Sequence, residues 1–227
     1  MSADKGLNRF VWDLRYPGMD RFDNLIMWAD MKEGPKATPG AYRARLTVGS
    51  VSQDVTFEIL PDPRTSSTAE DYAAQFNFVM DSRNLLSRTH VEIRKIRQLR
   101  TQLEGLQARL EKDGGGDADT AELVAEVTAL LETITPIEEA LYQTQNESRQ
   151  DPLNYPIRLN NKLTSLMRTA AVGDARPTAG AIAVKNELST AIESELAQLD
   201  SVWNENVPAL NSRIQSMGID LVTITEE

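Results

Sequence analysis

"LPDPRTSST", residues 60–68, marks the point where the chain changes its period. Before it, apolar residues recur at every second position, the spacing of a strand. After it they recur at every third or fourth, the spacing of a helix. Pro61 and Pro63 stop the last strand, because a proline cannot donate to a ladder. Thr68 with Asp71 three residues on is a capping-box-like helix start, with Asp where Glu is commoner. The expected class is therefore α+β: a β module over residues 1–64, then long helices over 65–227.

Working back from the boundary, "VSQDVTFEIL" (51–60) puts Val55, Phe57 and Ile59 on one face. "GAYRARLTVG" (40–49) does the same with Tyr42, Ala44, Leu46 and Val48, against Arg43, Arg45 and Thr47. Gly49 and Ser50 suit a tight hairpin turn between them. "NRFVWDLRYPG" (8–18) reads as a central strand, with Phe10, Trp12, Leu14 and Tyr16 pointing one way. "NLIMWAD" (24–30) is a further short strand candidate. About four strands, each with one apolar face, are too few for a seven-stranded sandwich. The expectation is a small, truncated immunoglobulin- or fibronectin-like antiparallel β-sandwich, closing on itself in reduced form. Self-association of a second copy through an exposed edge strand is the fallback cover. A chain that opens on a central strand is expected to be the carboxyl-terminal part of a longer protein, cut near or within the sandwich.

Working forward, the spacing predicts helices over about 69–111, 120–146, 157–171 and 178–217, forming an antiparallel bundle. In the second, Leu123, Val127, Leu130, Ile134, Ile137 and Leu141 alternate steps of four and three, a coiled-coil seam. The first carries Arg88, Arg94, Lys95, Arg97 and Arg100 against the acid Glu92; the second carries Asp119, Glu122, Glu126, Glu132, Glu138 and Glu139 with no base. Opposite flanks of a helical hairpin fit that pattern. Pro136 and Pro208 fall inside predicted helices and should kink them. Gly218 is placed as a C-terminal stop.

The net charge of -10 lies entirely in the helical part: 9 basic and 9 acidic residues occupy 1–64, 15 and 25 the remainder. An acidic surface repels nucleic acid and anionic lipid, so neither is an expected partner. No apolar run is long enough to span a bilayer. The opening "MSADKGLNRF" has no apolar segment of the kind that heads a secretory signal, so none is expected in these residues. There is no cysteine, which removes disulfides and thiolate metal sites.

No catalytic constellation stands out. His90 is the single histidine and falls beside the apolar seam of the first helix, so it reads as a structural histidine. Asp113, Asp117 and Asp119 surround three glycines but lack the spacing and closing Glu of a calcium loop. Asp13, Asp20, Asp23 and Asp30 with Arg9, Arg15 and Arg21 could form a carboxylate pair among aromatics, as in a glycosidase; the same residues also describe solvent faces and loops. "RQDPLNYPIRLNNKL" (149–163) is the most unusual stretch. Its Arg149, Asp151, Asn154, Arg158, Asn160 and Asn161 could bind a polar ligand at a helix start, or tie a helix–helix connection to the sheet through side chain to backbone bonds. Trp12 and Trp28 complete the candidate binding set, as platforms for a sugar or peptide. No catalytic residue, metal ligand or cofactor site is expected.

"LNRFVWDLRYPG", "PGAYRARLTVG", "LPDPR", "QDPLNYPIRLNNKL" and "GDARPT", in that order, resemble the carboxyl-terminal region of large bacterial sortilin-type proteins with BNR (Asp-box) repeats, often labelled glycosyl hydrolases. The resemblance implies a β-propeller ahead of an immunoglobulin-like module and a long-helix segment. It also implies an exported parent, periplasmic or extracellular. The propeller's Ser/Asp-x-Asp-x-Gly-x-x-Trp box is absent from these 227 residues. A propeller-borne hydrolase site therefore has no residue to carry over. The resemblance thus implies a non-catalytic accessory module that serves assembly, spacing or docking, with the upstream propeller as partner. The alternative is a carbohydrate- or peptide-binding module that feeds the propeller.

Overall fold

Alternation in the chain around residues 40–59 produces one β-hairpin, and the computed structural model, which describes residues 5–28, 30–112 and 118–219, contains no other sheet among them. The elements are β1 (Gly40–Val48), β2 (Val51–Ile59), α1 (Ala69–Lys112), α2 (Ala118–Leu141), α3 (Leu159–Ala170), α4 (Ala179–Ser201) and α5 (Val207–Ser216). The protein is thus mixed α+β, with a two-stranded antiparallel sheet and long helices. The chain divides into two compact units. One holds residues 5–19, 30–86 and 163–186; the other holds 20–28, 87–112, 118–162 and 187–219.

In the first unit, Tyr42 pairs with Phe57, Ala44 with Val55 and Val48 with Val51. Gly49 closes the turn at φ +59°, a conformation that costs other residues a Cβ clash. The register gathers Tyr42, Ala44, Leu46, Val48, Val51, Val55, Phe57 and Ile59 on one face, with Gln53 as the polar exception. Arg45 and Asp54 pair across the other face through bonds of 2.7 and 2.9 Å.

Residues 8–18 do not form the central strand expected from their alternation. Leu14 sits at φ +59°, Asp13 Oδ1 accepts the Arg15 amide, and the Trp12 indole donates to the Arg15 carbonyl. The chain therefore turns tightly at 12–15, and alternation read through a turn does not alternate in space. Past the turn, Ala37 N–H donates to Leu14 O and Tyr16 N–H to Pro35 O, a single bridge rather than a strand. Gly18 and Gly34 allow this close approach: a Cβ on either would lie within 2.1 Å of a backbone oxygen. Residues 24–28 are not a strand either, because side chains take up their backbone groups. No second sheet forms among the described residues, so the expected sandwich is not present there.

The start of α1 carries the reciprocal cap: Thr68 N–H donates to Asp71 Oδ2 at 3.0 Å and Asp71 N–H to Thr68 Oγ1 at 3.3 Å. Arg176 pairs with Asp71, and the backbone N–H of Thr68 together with this guanidinium holds the Asp71 carboxyl below the usual aspartate range. Phe78, Val79, Leu86, Leu163 and Met167 are buried in this unit. Gln75 ties α1 to the end of α3 by donating to Ala170 O and Gly173 O.

The second unit is built on the seam. All six α2 positions selected by spacing are buried, as are Ile93, Ile96, Leu103, Leu106 and Leu110 on α1. Arg97 donates to Glu138 Oε1 at 2.7 Å, and Arg100 to Glu138 Oε2 at 2.8 Å and Thr135 Oγ1 at 2.9 Å. Rising numbers on α1 meet falling numbers on α2, so the pair is antiparallel. Glu138 is 4% exposed, and two guanidiniums compensate its burial. Pro136 lies inside α2, which continues through it to Leu141 and ends short of the expected 146. The last predicted helix is not continuous. A π turn, Val202–Asn206, separates α4 from α5, with Val207 N–H bonded to Val202 O. Pro208 then falls in the first turn of α5, where no N–H is needed. Gly218, at φ +65°, follows the last helix.

Candidate functional site

The candidate residues fall in both units.

In the second unit, residues 20–28 form an irregular strap whose backbone is held by side chains. Ser87 Oγ accepts Asp20 N–H at 2.9 Å, and His90 Nδ1 lies 2.7 Å from Asp20 O. A carbonyl only accepts, so Nδ1 carries the proton, and Nε2 accepts from Asn160 Nδ2 at 3.2 Å. Arg94 donates to Arg21 O at 2.7 Å. The Tyr142 hydroxyl accepts Ile26 N–H at 3.3 Å. Asn161 grips Trp28 at both backbone atoms, accepting its N–H and donating to its carbonyl, each at 2.7 Å. Phe22 anchors the strap, edge-on to the His90 and Tyr142 rings and beneath the Arg97 guanidinium.

These bonds explain why residues 24–28 are not a strand: amides and carbonyls that a neighbouring strand would serve are served by side chains. They also assign the asparagines. Asn160 and Asn161 are buried, and their side chains meet the strap at Met27 and Trp28, where the expectation was a tie to the sheet. His90 is fully buried and hydrogen-bonded at both nitrogens. Asp151 organises its own loop, accepting from the Glu147 and Ser148 amides at 2.7 and 2.6 Å and from the Ser148 hydroxyl at 2.8 Å. Those donors, the Ser148 amide first, hold its carboxyl below the usual range. Arg149 and Asn154 are exposed beside it. Trp28 is 47% exposed although its backbone is pinned. Asp119 lies in the first turn of α2, 3.7 Å from Arg213. Asp113 and Asp117 lie outside the described residues.

In the first unit, Trp12 packs over Tyr42 and Phe57, with ring centroids 5.7 and 6.3 Å away. It covers the base of the hairpin's apolar face. Toward the turn nothing covers that face among the described residues: Leu46 is 53% exposed, Val55 62%, and Val48 and Val51 71% each. At the hairpin base a cavity of about 370 Å³ opens between Leu14, Ile59, Leu60, Tyr72 and Phe76, with Ala171 behind. Its rim carries Asp13, Arg15, Lys36, Asp62 and Asp174. Asp62 is chelated by Arg64, whose guanidinium holds that carboxyl below its usual range. Sequence reasoning found the hairpin and its apolar face. It missed the cavity, whose lining comes from five separate stretches of chain.

Among the described residues, no group of three or more His, Asp or Glu side chains could hold a metal ion, and no helix is long and apolar enough to cross a membrane. No protein-family model matches the chain, and neither a curated protein nor a solved structure is detectably similar to it.

Proposed function

We propose that this chain is a non-catalytic interaction module, an accessory region of a larger exported propeller protein, and that it docks through its hairpin. The observation that supports this reading is the bare outer half of the hairpin's apolar face. Burying a Val or Leu fully is worth about 1.5–3 kcal/mol, so four such side chains left in water on one face represent a large unused driving force. An isolated two-stranded hairpin is also marginal on its own. In this reading, strands from the same parent polypeptide cover the face and complete a small immunoglobulin- or fibronectin-like sandwich. The helices form the antiparallel bundle that spaces or assembles the parent.

The state of Trp12 favours docking over a sugar platform. Its ring packs at a tilt against Tyr42 and edge-on against Phe57, and its N–H is committed to a backbone carbonyl, so the indole is held against the hairpin base. One of the carboxylates that a glycosidase could use has other work: Asp13 Oδ1 caps the turn at 12–15. Purified chain is expected to turn over no aryl glycoside or peptide. Turnover abolished by mutating one of its acids would overturn the non-catalytic reading.

The docking test uses the polypeptide encoded immediately upstream in the same natural reading frame, co-expressed with this chain. Stable association, lost in Leu46→Asp with Val55→Asp while helix content and melting hold, is the expected result. No upstream strand-forming segment, or association indifferent to both substitutions, would overturn it.

A further inference from the structure

The cavity at the hairpin base adjoins the bare face. Ile59 belongs to both: the strand register places it with Phe57 and Val55, and it lines the cavity. Leu60, 72% exposed, stands at the mouth beside Leu14. We infer that this cavity is a socket for one large, neutral, apolar side chain carried by the polypeptide that covers the hairpin, an inference that rests on the proposed docking.

Three features specify that occupant. The first is size. About 370 Å³ lies at the small end of ligand pockets, room for a large side chain and too little for an extended cofactor. The second is the wall: Tyr72 and Phe76 supply aromatic side chains, and Leu14, Ile59 and Leu60 aliphatic ones, the composition of an anchor pocket at a protein interface. The third is the charge of the rim, whose members are already engaged inside the molecule. Asp62 is chelated by Arg64, Lys36 lies 3.8 Å from Asp174, Arg15 donates to Gly34 O, and Asp13 accepts the Arg15 amide. A rim of engaged charges calls for no ion from the ligand. It forms the polar ring that excludes water around an apolar anchor.

The wall is also held in shape against local strain. Leu14 has φ +59°, a region that bulky residues rarely occupy, and the bond from Ala37 N–H to its carbonyl keeps it there. Strain of this kind persists only where the surroundings over-determine it, and it concentrates at binding and active sites. Here it turns the chain so that Trp12 caps the hairpin base while Leu14 and Asp13 edge the cavity.

The test needs no partner. Full-length chain, labelled with nitrogen-15, is titrated with N-acetyl-L-tryptophanamide and N-acetyl-L-leucinamide as neutral apolar probes, and with N-acetyl-L-glutamate and N-acetyl-L-lysinamide as charged ones. The expected result is saturable shifts at the Ala37, Gln75 and Ala171 amides with the neutral probes alone. These should weaken by about tenfold or more when Ala171→Trp fills the socket. Leu60→Asp, at a position 72% exposed where a polar residue fits an ordinary surface, should also weaken them. No saturable response to the neutral probes, an equal response to the charged ones, or a response that survives both substitutions would overturn the inference. Leu46→Asp with Val55→Asp leaves the socket intact. Docking lost in that variant with probe binding retained is therefore the expected pattern. Docking present without any probe binding overturns the socket alone. Probe binding without any docking overturns the partner named as its occupant.

Discussion

The hairpin and the strap present opposite cases. The hairpin, β1 and β2, has a period of two interrupted only at Gln53, paired strands and one apolar face, yet the outer half of that face is open. The strap, residues 20–28, has no period and no secondary structure, yet its backbone is gripped at five or more atoms and its Phe22 is buried. Regular structure and satisfied structure are different things. A ladder satisfies the backbone but says nothing about what covers its face. A strap gains nothing from periodicity and is stable only because side chains elsewhere in the sequence are spaced to meet it.

That contrast can be broken most forcefully at Phe22. Phe22→Ala should destabilise the second unit by about 3–5 kcal/mol, the usual cost of emptying a buried aromatic site. Chemical denaturation would read it, and a change under about 1 kcal/mol would mean the strap is only draped on the helices. Next is Asn161→Ala, which strands the Trp28 amide and carbonyl together. A loss of about 1–3 kcal/mol is expected, with faster hydrogen exchange at Trp28. Unchanged exchange there would show that Asn161 is not the clamp.

Smaller still is Val55→Asp on the hairpin. If the outer face is bare in the isolated chain, stability should stay within about 0.5 kcal/mol, as for an ordinary surface change. A large loss in a chain that light scattering shows to be self-associated would mean that a second copy covers the face. The mildest test is pH. The Asp151 carboxyl, held ionised by the Ser148 and Glu147 amides, should titrate below the ordinary aspartate value. Its folded-state pKa is depressed, so its contribution is present above the unfolded value of about 3.9 and is lost as pH falls through the folded one. Carbon-detected titration of the side chain checks this, and a midpoint at or above the ordinary value would contradict it.

How far the sequence was legible follows the same division. The α2 seam could be read residue by residue, because a buried stripe on a helix leaves a period of three and four that few other structures imitate. The hairpin and its turn at Gly49 were legible for the corresponding reason. The alternation at 8–18 misled, because Leu14 leaves extended geometry in mid-run, and nothing about a leucine announces a positive φ. The strap was illegible because its partners, Ser87, His90, Arg94, Tyr142 and Asn161, are spaced by the fold and not by any local rule. Only the crowding of asparagines at 160–161 hinted at it. The cavity left still less trace, since its walls come together from stretches far apart in sequence.

The π turn at Val202–Asn206 bears on what sets the winding of the last helical segment. Val202 and Leu210 are both buried, eight residues apart. On an uninterrupted α-helix eight steps of about 100° would leave Leu210 some 80° off the face of Val202, but the eleven steps from the buried Leu199 would leave it only about 20° off. The buried stripe as a whole therefore does not call for an extra residue; the proline does. The wider turn spares Pro208 the collision with a carbonyl four residues earlier. By that logic the unwinding is written in one side chain, and Pro208→Ala alone, with no change of length, should let the turn tighten to an ordinary α-helix.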